Sequence, residues 1–106
     1  MKINGSLEVP DEAIAGFCRR WRIVQVELFG SALRDDFRPN SDIDVLVTFE
    51  PDARWTLFDL VEMQDQLAQV VGRPVDLIER AAVEQSRNPY RRHSVLSTAR
   101  VVYRVA

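Results

Sequence analysis

Residues 30–44, GSALRDDFRPNSDID, hold the side chains best suited to chemistry. A Gly-Ser pair, Gly30-Ser31, is followed after ten residues by Asp42-Ile43-Asp44. Gly30 lets the backbone turn sharply and come close to a ligand. Ser31 stands where a helix begins, so its hydroxyl and the nearby free N–H groups can face an anion, a common phosphate site. Arg34, one turn on, adds a fixed cationic fork. Asp42 and Asp44, at i and i+2 of a strand, leave one face with Cα atoms roughly 6.5–7 Å apart. Two carboxylates so placed in an apolar strand repel each other and lose hydration, and a divalent cation resolves that conflict. Mg²⁺ takes oxygen ligands while keeping waters and substrate phosphates in its shell. Two such ions about 3.5–4 Å apart would bind the attacking and leaving oxygens of an in-line phosphoryl displacement.

Asp76 is the candidate third carboxylate. It lies in the apolar run VDLI and shares a face with Ile78, while Val75 and Leu77 face the other way. If that run neighbours DIDVLV in a sheet, Asp76 reaches the metal pair and can help draw the proton from an attacking hydroxyl. With these three acids set aside, thirteen acidic residues stand against fourteen basic ones. Each residue also has a plainer use. Asp42 and Asp44 can be solvated acids at a strand entrance, Asp76 a strand-end acid, and Ser31 a helix cap. Arg34 can pair with Asp35 or Glu27.

These side chains need a scaffold, and the periodicities supply one. Pro10, Asp11 and Glu12 form a first helical turn, and Ile14, Phe17, Cys18 and Trp21 then mark one apolar helical face. Cys18 belongs to that core face. Arg22 to Phe29 alternates, with Val24, Val26 and Leu28 on one side of a strand. Gly30-Ser31 ends it, and Ala32-Leu33-Arg34 starts a short helix. Asp42 to Phe49 is a second strand, apolar on both faces and so central in its sheet. Leu57, Leu60, Val61, Gln64, Ala68 and Val71 mark a long amphipathic helix closed by Gly72 and Pro74. Trp55, Leu57 and Phe58 before and within it are core by default, with an adenine wall or a protein interface as the alternatives. Val75 to Glu79 is a third strand. A helical turn or two follows from Ala81 to Arg87. Asn88-Pro89 opens a helix through Ala99, and Val101 to Val105 is a last strand. The aromatic-basic cluster Tyr90, Arg91, Arg92, His93 on that last helix reads as a solvated face, or as a contact for a partner or a triphosphate. The order predicts a mixed α/β sheet with helices packed on it.

Composition bounds the possibilities. The chain of 106 residues is 46% hydrophobic and 28% charged, as expected of one soluble domain spanning 1–106. No apolar run approaches the roughly 20 residues of a membrane span. The start lacks the apolar stretch of a secretory signal, which predicts a cytoplasmic protein. One cysteine excludes an internal disulfide and any multi-cysteine zinc site, and one histidine argues against a histidine-built metal centre. The net charge of −2 gives no basic excess for direct nucleic-acid binding.

Gly30-Ser31, Arg34, Asp42-Ile43-Asp44 and the following VLV resemble the signature of the polymerase-β-type nucleotidyltransferase superfamily. The small size is similar to that of the minimal nucleotidyltransferases (MNT) of bacteria and archaea, and the tail NPYRRHSVLSTARVVY resembles the ending of MNT antitoxins. The resemblance implies an α/β (α+β) nucleotidyltransferase fold with a four-stranded mixed sheet. It implies Mg²⁺-dependent transfer of AMP from ATP to a tyrosine on a partner toxin of the HEPN class, a helical ribonuclease, which neutralises that toxin in a hetero-oligomer. By position, Gly30, Ser31 and Arg34 would serve the triphosphate, and Asp42, Asp44 and Asp76 would ligate metal. Two other functions compete with this one: neutralisation by occlusion with a relict nucleotide site, and transfer to RNA or a small molecule. The chain leaves no room for a substrate-recognition domain, which favours a macromolecular acceptor that binds on its own account.

Overall fold

The computed structural model describes residues 2–4, 7–30 and 42–105. A short antiparallel pair, β1 (Lys2–Asn4) and β2 (Leu7–Glu8), precedes the helix α1 (Asp11–Trp21). There follow β3 (Ile23–Phe29), β4 (Ile43–Phe49), α2 (Leu57–Val71), β5 (Val75–Glu79), α3 (Arg80–Glu84), α4 (Pro89–Thr98) and β6 (Arg100–Arg104). The main sheet has four strands in the order β5-β4-β3-β6. β3 pairs antiparallel with both β4 and β6, while β4 and β5 run parallel, joined by α2. This is the expected mixed sheet with helices on it. The β1–β2 pair was not anticipated, because strands of two and three residues carry no readable period.

The sheet buries a layer on each face. On one side Val26, Leu28, Val45, Val47 and Val75 meet Ile14, Phe17 and Cys18 of α1 and Met63, Leu67 and Val71 of α2. On the other, Phe29, Leu46 and half-buried Ile78 meet Val83 of α3 and Val95 of α4. β4 feeds both layers, which explains its apolar run.

α1 begins after Pro10 with Asp11 and Glu12 in its first turn and ends with Arg19 and Arg20 in its last, matching the helix dipole. It stops at Arg22, which takes a left-handed conformation (φ 57) and whose guanidinium Nε donates to Glu50 at 2.7 Å. The Arg22 carbonyl accepts from the Glu50 N–H at 2.9 Å, tying the start of β3 to the end of β4. α4 is capped as expected, with Asn88 accepting from the N–H groups of Tyr90 and Arg91 and Pro89 at the first helical position.

The buried face of α2 is not the expected one. Met63, Leu67 and Val71 are its buried residues, while Leu57, Phe58 and Val61 are exposed. The first turn, LFDLV, is apolar on nearly every side, so its period cannot tell which stripe turns inward. Thr56 decides where the helix starts: its hydroxyl accepts from the Asp59 N–H, and the Asp59 carboxylate accepts from the Thr56 N–H in return. Of the three residues read together there, Trp55 packs edge-on against Trp21 and Phe49 in the core, whereas Leu57 and Phe58 do not. β4 starts at Ile43 rather than Asp42, and β6 at Arg100 rather than Val101.

Candidate active site

The starts of β4 and β5 lie side by side, and the end of β3 runs up to them. The Ile43 N–H donates to the Pro74 carbonyl at 3.0 Å, locking the two strand entrances together. From there the parallel register pairs Ile43 with Val75 and Asp44 with Asp76. Strand alternation puts Asp44 on the face of Leu46 and Asp76 on the face of Ile78, both part of the layer under α3 and α4. The two carboxylates therefore leave the same face of the sheet from neighbouring strands, which lie about 4.8 Å apart. Asp44 is half-buried and Asp76 exposed. Asp42 is exposed and sits one residue ahead of β4.

Across the other edge of β4, Asp44 is the partner of Phe29, the last residue of β3. Gly30 follows with φ 68, a conformation that side-chain-bearing residues rarely take. A Cβ built there would overlap the Asp44 carboxylate, lying 3.3 Å from its Cγ. The close approach that a glycine permits is thus made, and it is made to Asp44. Ser31 and Arg34, the other expected phosphate-binding residues, lie outside the described residues, as does the short helix expected at 32–34.

Chemically, the strand entrances offer carboxylate oxygens and a glycine whose missing side chain makes room for one of them. An all-oxygen donor set of this kind suits Mg²⁺ rather than a soft metal. Among the described residues no three His, Cys, Asp or Glu side chains converge closely enough to hold an ion. Asp44 and Asp76 are brought together as a pair, and Asp42 is not gathered with them into such a cluster.

One ion pair was missed in the sequence. Glu27 on β3 is buried, and Arg80 Nη1 donates to both its carboxylate oxygens at 2.7 Å, with Gln25 donating to Oε1 at 2.9 Å. Arg34, for which Glu27 or Asp35 is the plainer partner, lies outside the described residues. A lone acid between Val26 and Leu28 was the available signal. Cys18, buried in the core, has its thiol pushed up from 9.0 to about 12 by burial, so it is no nucleophile. Among the described residues no helix is long and apolar enough to cross a membrane.

Residues 11–102 match the family model of the nucleotidyltransferase domain. A Methanocaldococcus jannaschii protein provisionally named a protein adenylyltransferase is 31% identical over 77 residues, 72% of each chain. A solved structure provisionally described as a minimal nucleotidyltransferase superposes with a TM-score of 0.61 at 34% identity, covering 84% of this chain and 85% of that one. The Shewanella oneidensis complex of a tri-AMPylated HEPN toxin with an MNT antitoxin aligns with a TM-score of 0.55 at 17% identity. It covers 89% of this chain and 69% of that one, and at that identity the likeness is one of fold.

Proposed function

The chain belongs to the nucleotidyltransferase domain family, and from that premise we propose that it is an antitoxin that transfers AMP from ATP to a tyrosine of a cognate HEPN toxin. The observation that carries this is the in-register pair Asp44–Asp76 with Gly30 folded against Asp44. Two carboxylates side by side at one strand entrance give a divalent cation oxygen ligands from neighbouring strands. The names of relatives support the choice of chemistry: one is provisionally named a protein adenylyltransferase, and one fold neighbour is an antitoxin in complex with an AMPylated HEPN toxin.

In this proposal Asp42, Asp44 and Asp76 would hold Mg²⁺, which when bound neutralises charge on the triphosphate. Gly30, Ser31 and Arg34 would seat that triphosphate. The tyrosine oxygen attacks the α-phosphorus of ATP. A new O–P bond forms, the bond from that phosphorus to the bridging oxygen breaks, and pyrophosphate leaves. Asp76, on the exposed edge strand, accepts the hydroxyl proton. Asp44, held between Phe29 and Asp76 by register, fixes where the phosphate chain lies.

The test is a label experiment. The chain is purified with the protein encoded beside it and incubated with Mg²⁺ and ATP labelled at the α- or the γ-phosphate. α-Label on the partner and γ-label in pyrophosphate support the proposal. Protection of the partner without α-label would instead make this chain an occluding binder.

A further inference from the structure

A pocket of about 200 Å³ opens on the face of the sheet that carries the carboxylate pair. It is lined by Ile78 of β5, Ala82 and Val83 of α3, Ser86, and Arg91 of α4. Ile78 follows Asp76 by two residues on β5. Both side chains therefore leave the sheet on the face under α3 and α4, with Cα atoms roughly 6.5–7 Å apart. β5 is an edge strand, open to a large acceptor. Gly30 stands on the other flank of Asp44, at the end of β3. The carboxylates thus have the glycine turn on the β3 side and this pocket on the β5 side.

The pocket has an apolar floor and a cationic rim. Val83 is buried, Ile78 half-buried and Ala82 exposed. Arg91 is exposed, and among the described residues its guanidinium has no hydrogen-bond or ion-pair partner. Its neighbour Arg92 is half-buried and donates to the Ser86 carbonyl at 2.8 Å.

That combination discriminates between occupants. An aliphatic side chain would gain the floor and nothing from Arg91. A small anion would gain Arg91 and nothing from the floor. A flat ring uses both, since one face covers apolar carbon while the other meets a cation. A hydroxyl at the far end of the ring finds a third partner in the Asp76 carboxylate, one same-face step along β5. The span from Ile78 to Asp76 matches the reach of a tyrosine side chain from its β-carbon to its hydroxyl.

We propose that this pocket receives the ring of the acceptor tyrosine, stacked between the floor of Ile78, Ala82 and Val83 and the Arg91 guanidinium, with its hydroxyl turned to Asp76. Arg91 is then an acceptor-positioning residue, holding the ring so that the attacking oxygen is already oriented. This rests on the transferase reading above and adds the side from which the acceptor enters, over β5 and away from Gly30.

The test is an NMR titration of the full chain, ¹³C-labelled at its isoleucine methyl groups, without nucleotide, metal or partner. The Ile78 resonance is assigned with Ile78→Val. The probes are N-acetyl-tyrosinamide, N-acetyl-phenylalaninamide, N-acetyl-leucinamide and adenosine. We expect a saturable shift of the Ile78 methyl with the tyrosine probe, at least threefold weaker binding of the phenylalanine probe, and no saturation with the leucine probe. Arg91→Gln should weaken the tyrosine probe at least fivefold, and Arg91→Lys, which keeps the cation, should restore most of that loss. Asp76→Ala should erase the preference for tyrosine over phenylalanine. No saturable shift at Ile78, equal binding of the leucine and tyrosine probes, adenosine binding tighter than the tyrosine probe, or an unchanged affinity in Arg91→Gln would overturn the proposal. With partner, ATP and Mg²⁺ present, Arg91→Gln should slow AMP transfer at least fivefold and leave the affinity for ATP within twofold of the wild type. An equal loss of ATP affinity would put Arg91 on the nucleotide and overturn the proposal. The two readings fail separately: AMP transfer without probe binding counts against this pocket alone, and probe binding without AMP transfer by the wild type counts against the transferase reading alone.

Discussion

Asp44 and Asp76 are register partners on the parallel strands β4 and β5, and they leave the sheet on the same face. Each is the second residue of its strand, so the pair sits at a strand entrance. A cation held between two such carboxylates would offset their like charge, which is the physical root of the proposed chemistry.

That offset is measurable without a substrate. Millimolar Mg²⁺ should raise the melting temperature of the wild type by a few degrees, since a ligand that binds only the native state stabilises it. Asp76→Asn should melt at or above the wild type without metal, because like charges no longer face each other, and should lose most of the Mg²⁺ gain. Differential scanning fluorimetry checks both. A large drop in metal-free stability would mean that Asp76 holds the fold together rather than serving an ion.

Gly30→Ala should damage stability and activity together. Alanine is strained at φ 68, and its methyl would overlap the Asp44 carboxylate. We expect a loss of about 1–3 kcal/mol in denaturant unfolding. Nucleotidyl transfer should fall by more than the lost folded fraction accounts for, because Asp44 must move aside.

Much of this was legible in the chain. The two apolar runs that became β4 and β5 were visible, as was the parity that put Asp76 with Ile78. The capping residues of α4 were also plain, because Asn-Pro satisfies orphan N–H groups locally. What failed to show was tertiary. Glu27 and Arg80 are 53 residues apart, and no local pattern announces their pairing. The inward stripe of α2 was misread because Leu57, Phe58, Leu60 and Val61 surround the helix, and only packing against α1 and the sheet chooses among them. Asp42, read as the first residue of its strand, lies just outside it, a one-residue error of the kind strand ends invite.

The Glu27–Arg80 pair yields a stability test. Arg80→Ala leaves a buried carboxylate without its guanidinium and should cost about 3 kcal/mol or more. Replacing both partners with apolar residues, Glu27→Leu with Arg80→Met, should recover most of that loss. Chemical denaturation of the three variants checks the sign: a double variant as unstable as Arg80→Ala would show that desolvation of Glu27 is not the cause.

Cys18 gives a pH signature. Burial disfavours the thiolate and pushes the folded thiol up from 9.0 to about 12. The unfolded chain ionises first, so the stability contributed by the buried neutral thiol is full below pH 9 and is lost as pH rises toward 12. A thiol reagent at pH 8 should label the native protein only at the rate of opening, and Cys18→Ala should flatten the alkaline loss of stability.

The most direct measurement is the intact mass of the partner after incubation with this chain, ATP and Mg²⁺. We expect the wild type to add AMP, localised to a tyrosine by fragmentation, and Asp42→Asn/Asp44→Asn to add none while remaining folded. A partner that gains AMP equally from the variant, or one that the wild type silences with its mass unchanged, would contradict the assignment of these acids to nucleotidyl transfer.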